Sequence, residues 1–188
     1  FAIGVLLAWL AGIRVYLTVF GVGLAGFFGW LDLPSAMEAA QSPWVLGTSG
    51  VLAAAEFFAD KIPGVDSGWD LLQTLARIPA GAFLAAATLS DDGQLSGSAL
   101  ALGGGAALGT HLLKSGTRAL INASPEPVSN WAASAGEDGA ALGAMSLVFI
   151  YPWAALALLL GVLLAGALFV AWVARWVWRL SGRAAADR

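Results

Sequence analysis

The chain has 188 residues, of which 59% are hydrophobic and only 11% are charged, and its mean hydropathy is +0.80. Soluble domains carry about 25% charged residues, so this composition argues against a water-soluble globule and excludes a disordered chain. The net charge is −3 with no basic patch, which disfavours nucleic-acid binding. The absence of cysteine excludes disulfides and thiolate metal sites. We therefore expect an integral membrane protein with the lipid bilayer as its first partner.

Six apolar segments predict the elements that cross the bilayer, and they leave no room for a separate soluble domain. In chain order they are residues 1–30, 44–62, 69–89, 95–122, 139–150 and 152–178. The polar connections between them are residues 31–43, 63–68, 90–93 and 123–138. A continuous helix over residues 139–180 would be roughly 60 Å long, about twice the hydrocarbon thickness. We therefore predict a break at Tyr151-Pro152, so the last two segments count as one kinked span or as two.

The predicted fold class is all-α, a polytopic membrane helix bundle of five or six spans that forms one membrane domain over residues 1–188. A short internal similarity links residues 11–14 (AGIR) to residues 115–118 (SGTR). If it marks a repeat, the halves 1–90 and 95–180 hold three helices each, and this odd number places them in opposite orientations. An inverted repeat of two three-helix halves is therefore one form of the predicted bundle.

The basic residues of the C-terminal tail set the predicted orientation. Four of the nine basic residues are Arg175, Arg179, Arg183 and Arg188, and positive charge is retained on the cytoplasmic side of a membrane. We therefore place the C-terminus in the cytoplasm. The N-terminus is cytoplasmic with six spans and outside with five. The 24 glycines favour close helix packing, and a homo-oligomer is left open.

Eight ionisable residues inside the predicted spans form the candidate binding site. A charged side chain at the bilayer centre costs about 2.5–3.5 kcal/mol, so such residues pair with each other or line a wet cavity. Glu56 and Asp60 lie four residues apart and share one helical face, and these acids oppose bases in the neighbouring segments. The predicted substrate- or ion-binding residues are Glu56, Asp60, Arg14, Arg118, Lys114, His111, Asp70 and Arg77.

Two interpretations of these residues lead to two predicted functions. In the first, they form a polar pathway near the membrane midplane of a small transporter or channel-like protein for an ion or small polar solute. Glu56 and Asp60 would bind a proton or cation, which allows proton coupling, while Arg14, Lys114 and Arg118 would supply counter-charges or an anion site. In the second, the protein is a non-catalytic membrane scaffold or accessory subunit whose buried ion pairs only fix helix register.

The sequence predicts neither an enzyme nor a cofactor. It contains no GxSxG, P-loop, HExxH or dinucleotide-binding glycine motif. His111 could relay protons or bond a neighbouring carbonyl. One histidine without thiols cannot build a typical zinc site, and the identity of any metal stays open. An intramembrane enzyme acting on lipid through Glu56, Asp60 and His111 is the weakest alternative.

Several longer motifs resemble one known family. They are residues 11–14 (AGIR), 56–63 (EFFADKIP) with Asp66 and Asp70, 77–81 (RIPAG), 111–114 (HLLK) with Arg118, and 124–127 (SPEP) followed by Ser129-Asn130, Ser134 and Glu137-Asp138. This pattern, which extends to about Trp153, resembles the bacterial membrane family DUF4126. The resemblance implies a multi-pass protein of the bacterial inner membrane and supplies no activity. The acidic run at residue 56 also loosely resembles a motif of cation/proton exchangers, but its acids are one residue further apart and Ala59 replaces a glycine.

Overall fold

The computed structural model describes residues 1–62, 64–89, 94–123 and 127–186, and every regular element in these residues is helical. The elements are α1 (Ala2–Ile13), α2 (Val15–Phe27), a 3₁₀ helix (Ser35–Gln41), α3 (Pro43–Ala59), α4 (Val65–Leu89), α5 (Gly97–Asn122), α6 (Pro127–Ile150) and α7 (Pro152–Ala186). The predicted all-α class is therefore confirmed. Pro63, the predicted turn at residues 90–93, Ser124-Pro125-Glu126 and Arg188 lie outside the described residues.

Two helices in the described part of the chain are long and apolar enough to cross a membrane, Gly68–Leu89 and Pro152–Trp172. The helices α1, α2 and α3 are also apolar but shorter than a typical span. The predicted break at Tyr151-Pro152 is confirmed, because α6 ends at Ile150 and α7 begins at Pro152. Five or six spans stay a prediction that length and composition alone do not decide.

The first predicted segment, residues 1–30, contains two helices that meet at Arg14. This residue has φ −141° and ψ 81°, which is not a helical conformation. The hydroxyl of Thr18 donates to the carbonyl of Arg14 at 2.8 Å, and Nζ of Lys114 donates to the carbonyl of Ile13 at 3.4 Å. Polar side chains therefore compensate carbonyls at the break. The expectation of one continuous segment is wrong, since uniform hydropathy does not show where a helix is interrupted.

The direction of α2 follows from its contacts with α6. Arg14 pairs with Asp138 of α6. Seven residues further along α2, Gly21 lies against the side chain of Met145, which is seven residues further along α6. The two helices therefore advance in the same direction.

The direction of α1 is the reverse. A Cβ at Gly4 would lie 3.2 Å from the carbonyl oxygen of Ala85, and a Cβ at Gly81 would lie 3.3 Å from the carbonyl oxygen of Ala8. Moving forward along α1 therefore means moving backward along α4. The helices α4 and α6 run in the same sense, because Asp66 and Asn130 near their starts both contact Arg118 and Leu84 and Val148 near their ends share one apolar core. It follows that α1 and α2 form a helical hairpin with Arg14 at its tip.

The helix α6 includes residues 127–138, which are polar and were predicted to form a connection. Residues 123–138 were expected to precede a short fifth segment at residues 139–150, but α6 begins at Pro127 and continues to Ile150. Proline suits the first position of a helix. The prediction is wrong because the polar side chains of this stretch face the bundle, as Asn130 and Ser134 are buried one helical turn apart. Polarity here marks a buried face.

Small residues build the centre of the bundle, where α1, α4 and α5 meet. Ala85 and Ala107 are completely buried, and a Cβ at Gly103 would collide with the carbonyl oxygen of Gly81. Small residues let helix backbones approach this closely. In contrast, only 6% of the most apolar stretch within Pro152–Trp172 of α7 is buried within the protein.

The bundle has two chemically different ends. We call the end where α3 and α5 finish and α4 and α6 start the polar end, because charged side chains from all four helices meet there. The opposite end, where α4 and α6 finish, is the apolar end. Its core includes Leu6, Leu7, Leu84, Ala87, Met145, Val148 and Ala155. The tip of the α1–α2 hairpin therefore points from the apolar end toward the charges.

Candidate functional site

One network of ion pairs brings together five bases and six acids at the polar end. We call it the charged cluster, and its members are Arg14, Lys61, Arg77, Lys114, Arg118, Glu56, Asp60, Asp66, Asp70, Glu137 and Asp138. The five bases are all the basic residues that precede residue 175. Eight of the side chains are at most 7% exposed, and only Lys61, Glu137 and Asp138 reach 15–19%. These three form the rim of an otherwise buried cluster.

Asp60 is the most highly connected acid in the cluster. Its Oδ2 atom lies 2.7 Å from NH1 of Arg14 and 2.9 Å from Nζ of Lys114, with NH2 of Arg118 at 4.0 Å. Asp60 also caps the C-terminus of α3, so its carbonyl oxygen has no backbone N–H partner within that helix. That carbonyl accepts from Arg118 NH1 at 3.3 Å and from Asn130 Nδ2 at 3.5 Å. One residue therefore joins the hairpin tip, α5 and α6.

Arg77 is the deepest base. It is the thirteenth of the 25 residues of α4, about 18 Å from the start of that helix. Its NH2 group donates to Glu56 Oε1 at 3.0 Å, to Asp70 Oδ1 at 2.8 Å and also to Gln73 Oε1. The cluster therefore reaches from the rim at the polar end to the middle of the bundle.

His111 continues this deep part of the cluster as a neutral side chain. NH1 of Arg77 lies 2.8 Å from Nδ1 of His111, and because a guanidinium can only donate, Nδ1 must accept. Nε2 then carries the hydrogen and donates to the hydroxyl of Thr74 at 2.7 Å. The Thr74 hydroxyl donates in turn to the carbonyl of Asp70 at 3.0 Å. This chain of hydrogen bonds fixes the tautomer of the imidazole.

The helix α6 supplies partners that the sequence analysis did not place in the site. Glu137 accepts from Nε and NH2 of Arg118 at 2.9 and 3.0 Å, which is the bidentate geometry of strong arginine–carboxylate pairs. Asp138 pairs with Arg14 at 2.5 Å and with Lys61 at 3.0 Å, while Asn130 accepts from Arg118. The spacing of 130, 134, 137 and 138 is the helical signal that could have revealed this face.

Several buried polar atoms in and near the cluster have no hydrogen-bond partner among the described residues. Two are carboxylate oxygens, Glu56 Oε2 and Asp60 Oδ1. A cleft of about 280 Å³ between α4 and α5 borders the same region, and its lining includes Asp70, Thr74, His111, Ser115 and Arg118. The described residues contain no group of three histidine or acidic side chains placed to hold a metal ion.

All eight predicted binding residues meet in one place. Seven are members of the charged cluster, and His111 is hydrogen-bonded to it through Arg77. The expected pairing of acids on α3 with bases on neighbouring helices is present in the structure. The roles of these residues in binding stay predictions.

No curated protein and no solved structure is significantly similar to this chain. One family of sequences does match it, over residues 1–175. That range includes the hairpin, the whole charged cluster and most of α7. The resemblance found in the motifs is thereby confirmed, and the chain belongs to the family described as Domain of unknown function (DUF4126).

Proposed function

We propose that the protein spans a bacterial inner membrane as one multi-pass domain and that the charged cluster is its binding site for an ion or small polar solute. The exposed surface of α7 supports the membrane location, because side chains such as Leu158, Leu164 and Phe169 are more than half exposed. An apolar surface of this size favours lipid over water. In this role the protein moves its substrate without a chemical reaction.

The proposed topology has five spans, α3 to α7, preceded by a re-entrant hairpin. Both ends of the α1–α2 hairpin lie toward the apolar end, so these two helices enter and leave the membrane on one side. Broken helices at membrane depth are tolerated where they are buried in protein or face a cavity. With the basic C-terminal tail in the cytoplasm, the N-terminus lies outside and the polar end faces the cytoplasm. An inverted repeat stays a prediction within this scheme.

The pathway proposed for the substrate runs from the polar end to the middle of the bundle. Its rim is formed by Lys61, Glu137 and Asp138, and its deepest base is Arg77. Beyond Arg77, the close packing of α1, α4 and α5 closes the apolar half. Helix ends at the hairpin tip resemble the discontinuous helices around which transporters build their sites. In this scheme solvent reaches the pathway at its rim, and transport requires the apolar half to separate.

The observation that carries this proposal is the pair of buried carboxylate oxygens, Glu56 Oε2 and Asp60 Oδ1, which have no donor among the described residues. Two other members of the same cluster, Asp70 and Arg118, line the cleft between α4 and α5. Purified protein in proteoliposomes tests it, with an enclosed pH- or sodium-sensitive dye and an imposed potassium diffusion potential. Glu56→Gln and Arg118→Ala should each abolish the ion flux, because one removes a binding charge and the other its counter-charge.

Asp32→Asn is the matched control, since this carboxylate is exposed and lies outside the cluster. It should retain full flux. All variants are first compared by gel filtration and circular dichroism, so that loss of flux is scored only in folded protein. Flux that is unchanged in both Glu56→Gln and Arg118→Ala rules out the proposed pathway.

A second candidate function is a non-catalytic membrane scaffold or accessory subunit. The density of pairing favours it, because every base of the cluster contacts at least one acid within 4.0 Å. Under this proposal reconstituted protein conducts nothing, and the same substitutions lower stability instead. A comparison of flux and unfolding in the same variants therefore separates the two functions.

A further inference from the structure

Two buried carboxylates on α3 each lack one hydrogen-bond donor. Glu56 and Asp60 are both 1% exposed. One oxygen of each side chain is paired with bases, while Glu56 Oε2 and Asp60 Oδ1 have no partner among the described residues. A buried acceptor without a donor is expensive. Two neighbouring acceptors therefore lack a donor. Nitrogens of Arg14, Gln73 and Arg77 in the same region are donors without an acceptor among the described residues, and a species bound to the two carboxylate oxygens leaves these donors unchanged.

The charge of the cluster points to the same deficiency. Its six acids and five bases leave one negative charge in excess when all of them are ionised. A buried charge without compensation is strongly disfavoured. The missing species should therefore carry one positive charge and should also donate hydrogen bonds or coordinate oxygen.

A proton satisfies both requirements at once. Glu56 and Asp60 are one helical turn apart on the same face, and NH1 of Arg14 lies 4.0 Å from Glu56 Oε1 and 2.7 Å from Asp60 Oδ2. We propose that Glu56 Oε2 and Asp60 Oδ1 share one proton, and that the proton is the ion that this protein binds. A hydrogen bond from Glu56 Oε2–H to Asp60 Oδ1 gives both atoms a partner, breaks no covalent bond and brings the cluster to zero charge.

The surrounding charges decide which carboxylate carries the proton. Asp60 Oδ2 has two bases within 3.0 Å, Arg14 and Lys114, whereas Glu56 Oε1 has only Arg77 at that distance. Asp60 is therefore the better stabilised anion, and the proton resides on Glu56. The charged and titratable groups that face the pair are Arg14 from the hairpin tip, Asp70 and Arg77 from α4, His111, Lys114 and Arg118 from α5, and Asp138 from α6.

This inference deepens the proposed function and rests on it for the role of the proton as transported or coupling ion. A metal cation is the competing occupant of the same oxygens. The described residues offer no three acidic or histidine side chains grouped for a metal ion. A proton needs only the two oxygens that are free.

Difference infrared spectroscopy tests the proposal on the full chain in lipid nanodiscs, with no ion gradient present. At neutral pH the wild type should show the C=O stretch of one protonated carboxyl group, which shifts when H₂O is replaced by D₂O. Glu56→Gln and Asp60→Asn should each lose this band, because either substitution leaves five acids with five bases. Asp32→Asn should retain it.

Two results would overturn the proposal. One is the absence of the band in the wild-type protein. The wild-type spectrum does not depend on whether the variants fold. The other is loss of the band on addition of sodium or potassium chloride at constant pH, which would assign the site to a metal cation. Because no flux is measured, a protein that transports a solute but lacks the band contradicts only the proton assignment. A protein with the band but without flux contradicts only the transport function.

Discussion

The two ends of the bundle are built by the same helices but held together differently. In α4, Asp70 and Arg77 belong to the charged cluster, while Leu84 and Ala87 belong to the apolar core. In α6 the buried stripe changes in the same way, from Asn130 and Ser134 to Met145 and Val148. At the polar end each side chain needs a particular partner from another helix. At the apolar end it needs only the right size.

This difference predicts how each end responds to substitution. A charged side chain that loses its partner stays buried and uncompensated, so the penalty spreads to every group it contacted. An apolar or small side chain transmits only a local change of volume. Substitutions at the polar end should therefore lower the free energy of unfolding more than substitutions at the apolar end. At the polar end the loss should be smaller where the side chain reaches solvent.

The largest effect is expected at Arg77, the deepest member of the charged cluster. Arg77→Ala removes the donor to Glu56 Oε1 and to Nδ1 of His111, and it removes one of the two bases paired with Asp70, which keeps Lys114 at 3.1 Å. Removal of one partner from a buried pair costs about 3–5 kcal/mol, and we expect a loss of this order in the free energy of unfolding. Reversible unfolding in mixed micelles, followed by circular dichroism, measures it.

Two companion variants identify the cause of that loss. Arg77→Lys keeps the charge but cannot reproduce the fork of donors, so its stability should lie between those of the wild type and Arg77→Ala. Arg175→Ala removes an exposed arginine whose Nε donates to the carbonyl of Ala171 in its own helix, and should change the stability by less than about 0.5 kcal/mol. Equal losses at residues 77 and 175 would contradict a cluster that stabilises through buried pairing.

The polar end also shows which parts of the structure were predictable from sequence. Charges inside apolar segments are expensive, so the meeting of Glu56, Asp60, Arg77 and Lys114 could be predicted. The spacing of the charged residues within each segment predicts which helical face carries them. The opposite signs of charge in different segments predict which segments pair. The pairing of particular atoms could not be predicted, because it depends on helix rotation and depth that no periodicity contains.

Two features were beyond a hydropathy pattern for physical reasons. At the break, Arg14 pairs with Asp60 and Asp138 from distant parts of the chain, and the residues next to it include no proline that would mark the break in the sequence. Hydropathy predicts a connection at the polar half of α6, because it assumes that polar residues face water. In a bundle whose core is itself charged, the buried face can be the polar one.

In the apolar half of the bundle we expect smaller changes in the free energy of unfolding. The change should have opposite signs at Gly103 and Gly105 of α5. A Cβ at Gly103 would collide with the Gly81 carbonyl and lie 2.5 Å from Cβ of Ala85, whereas a Cβ at Gly105 meets nothing within 4 Å. Gly103→Ala should therefore destabilise the protein by about 1–3 kcal/mol through overpacking. Gly105→Ala should stabilise it by about 0.5–1 kcal/mol, because glycine is unfavourable inside a helix.

The same unfolding measurement decides this pair of variants. Because both add one methyl group to the same helix, any general effect of alanine on α5 cancels in the comparison. If Gly103→Ala proved as stable as Gly105→Ala, the close approach of α4 and α5 would not be a determinant of the fold.

The smallest effect is expected at the rim of the charged cluster, where the paired side chains are partly exposed to solvent. Nζ of Lys61 lies 3.0 Å from Asp138 Oδ2, with both side chains 15% exposed, and it also sits 3.2 Å from the centre of the Phe57 ring. Lys61→Ala leaves Asp138 paired with Arg14, so no acid becomes uncompensated. We expect a loss of no more than about 1 kcal/mol, which should shrink as salt is added because partly solvated charges are screened. A salt-independent loss as large as that of Arg77→Ala would mean that the rim is as dry as the interior, and that the cluster has no opening to the aqueous phase.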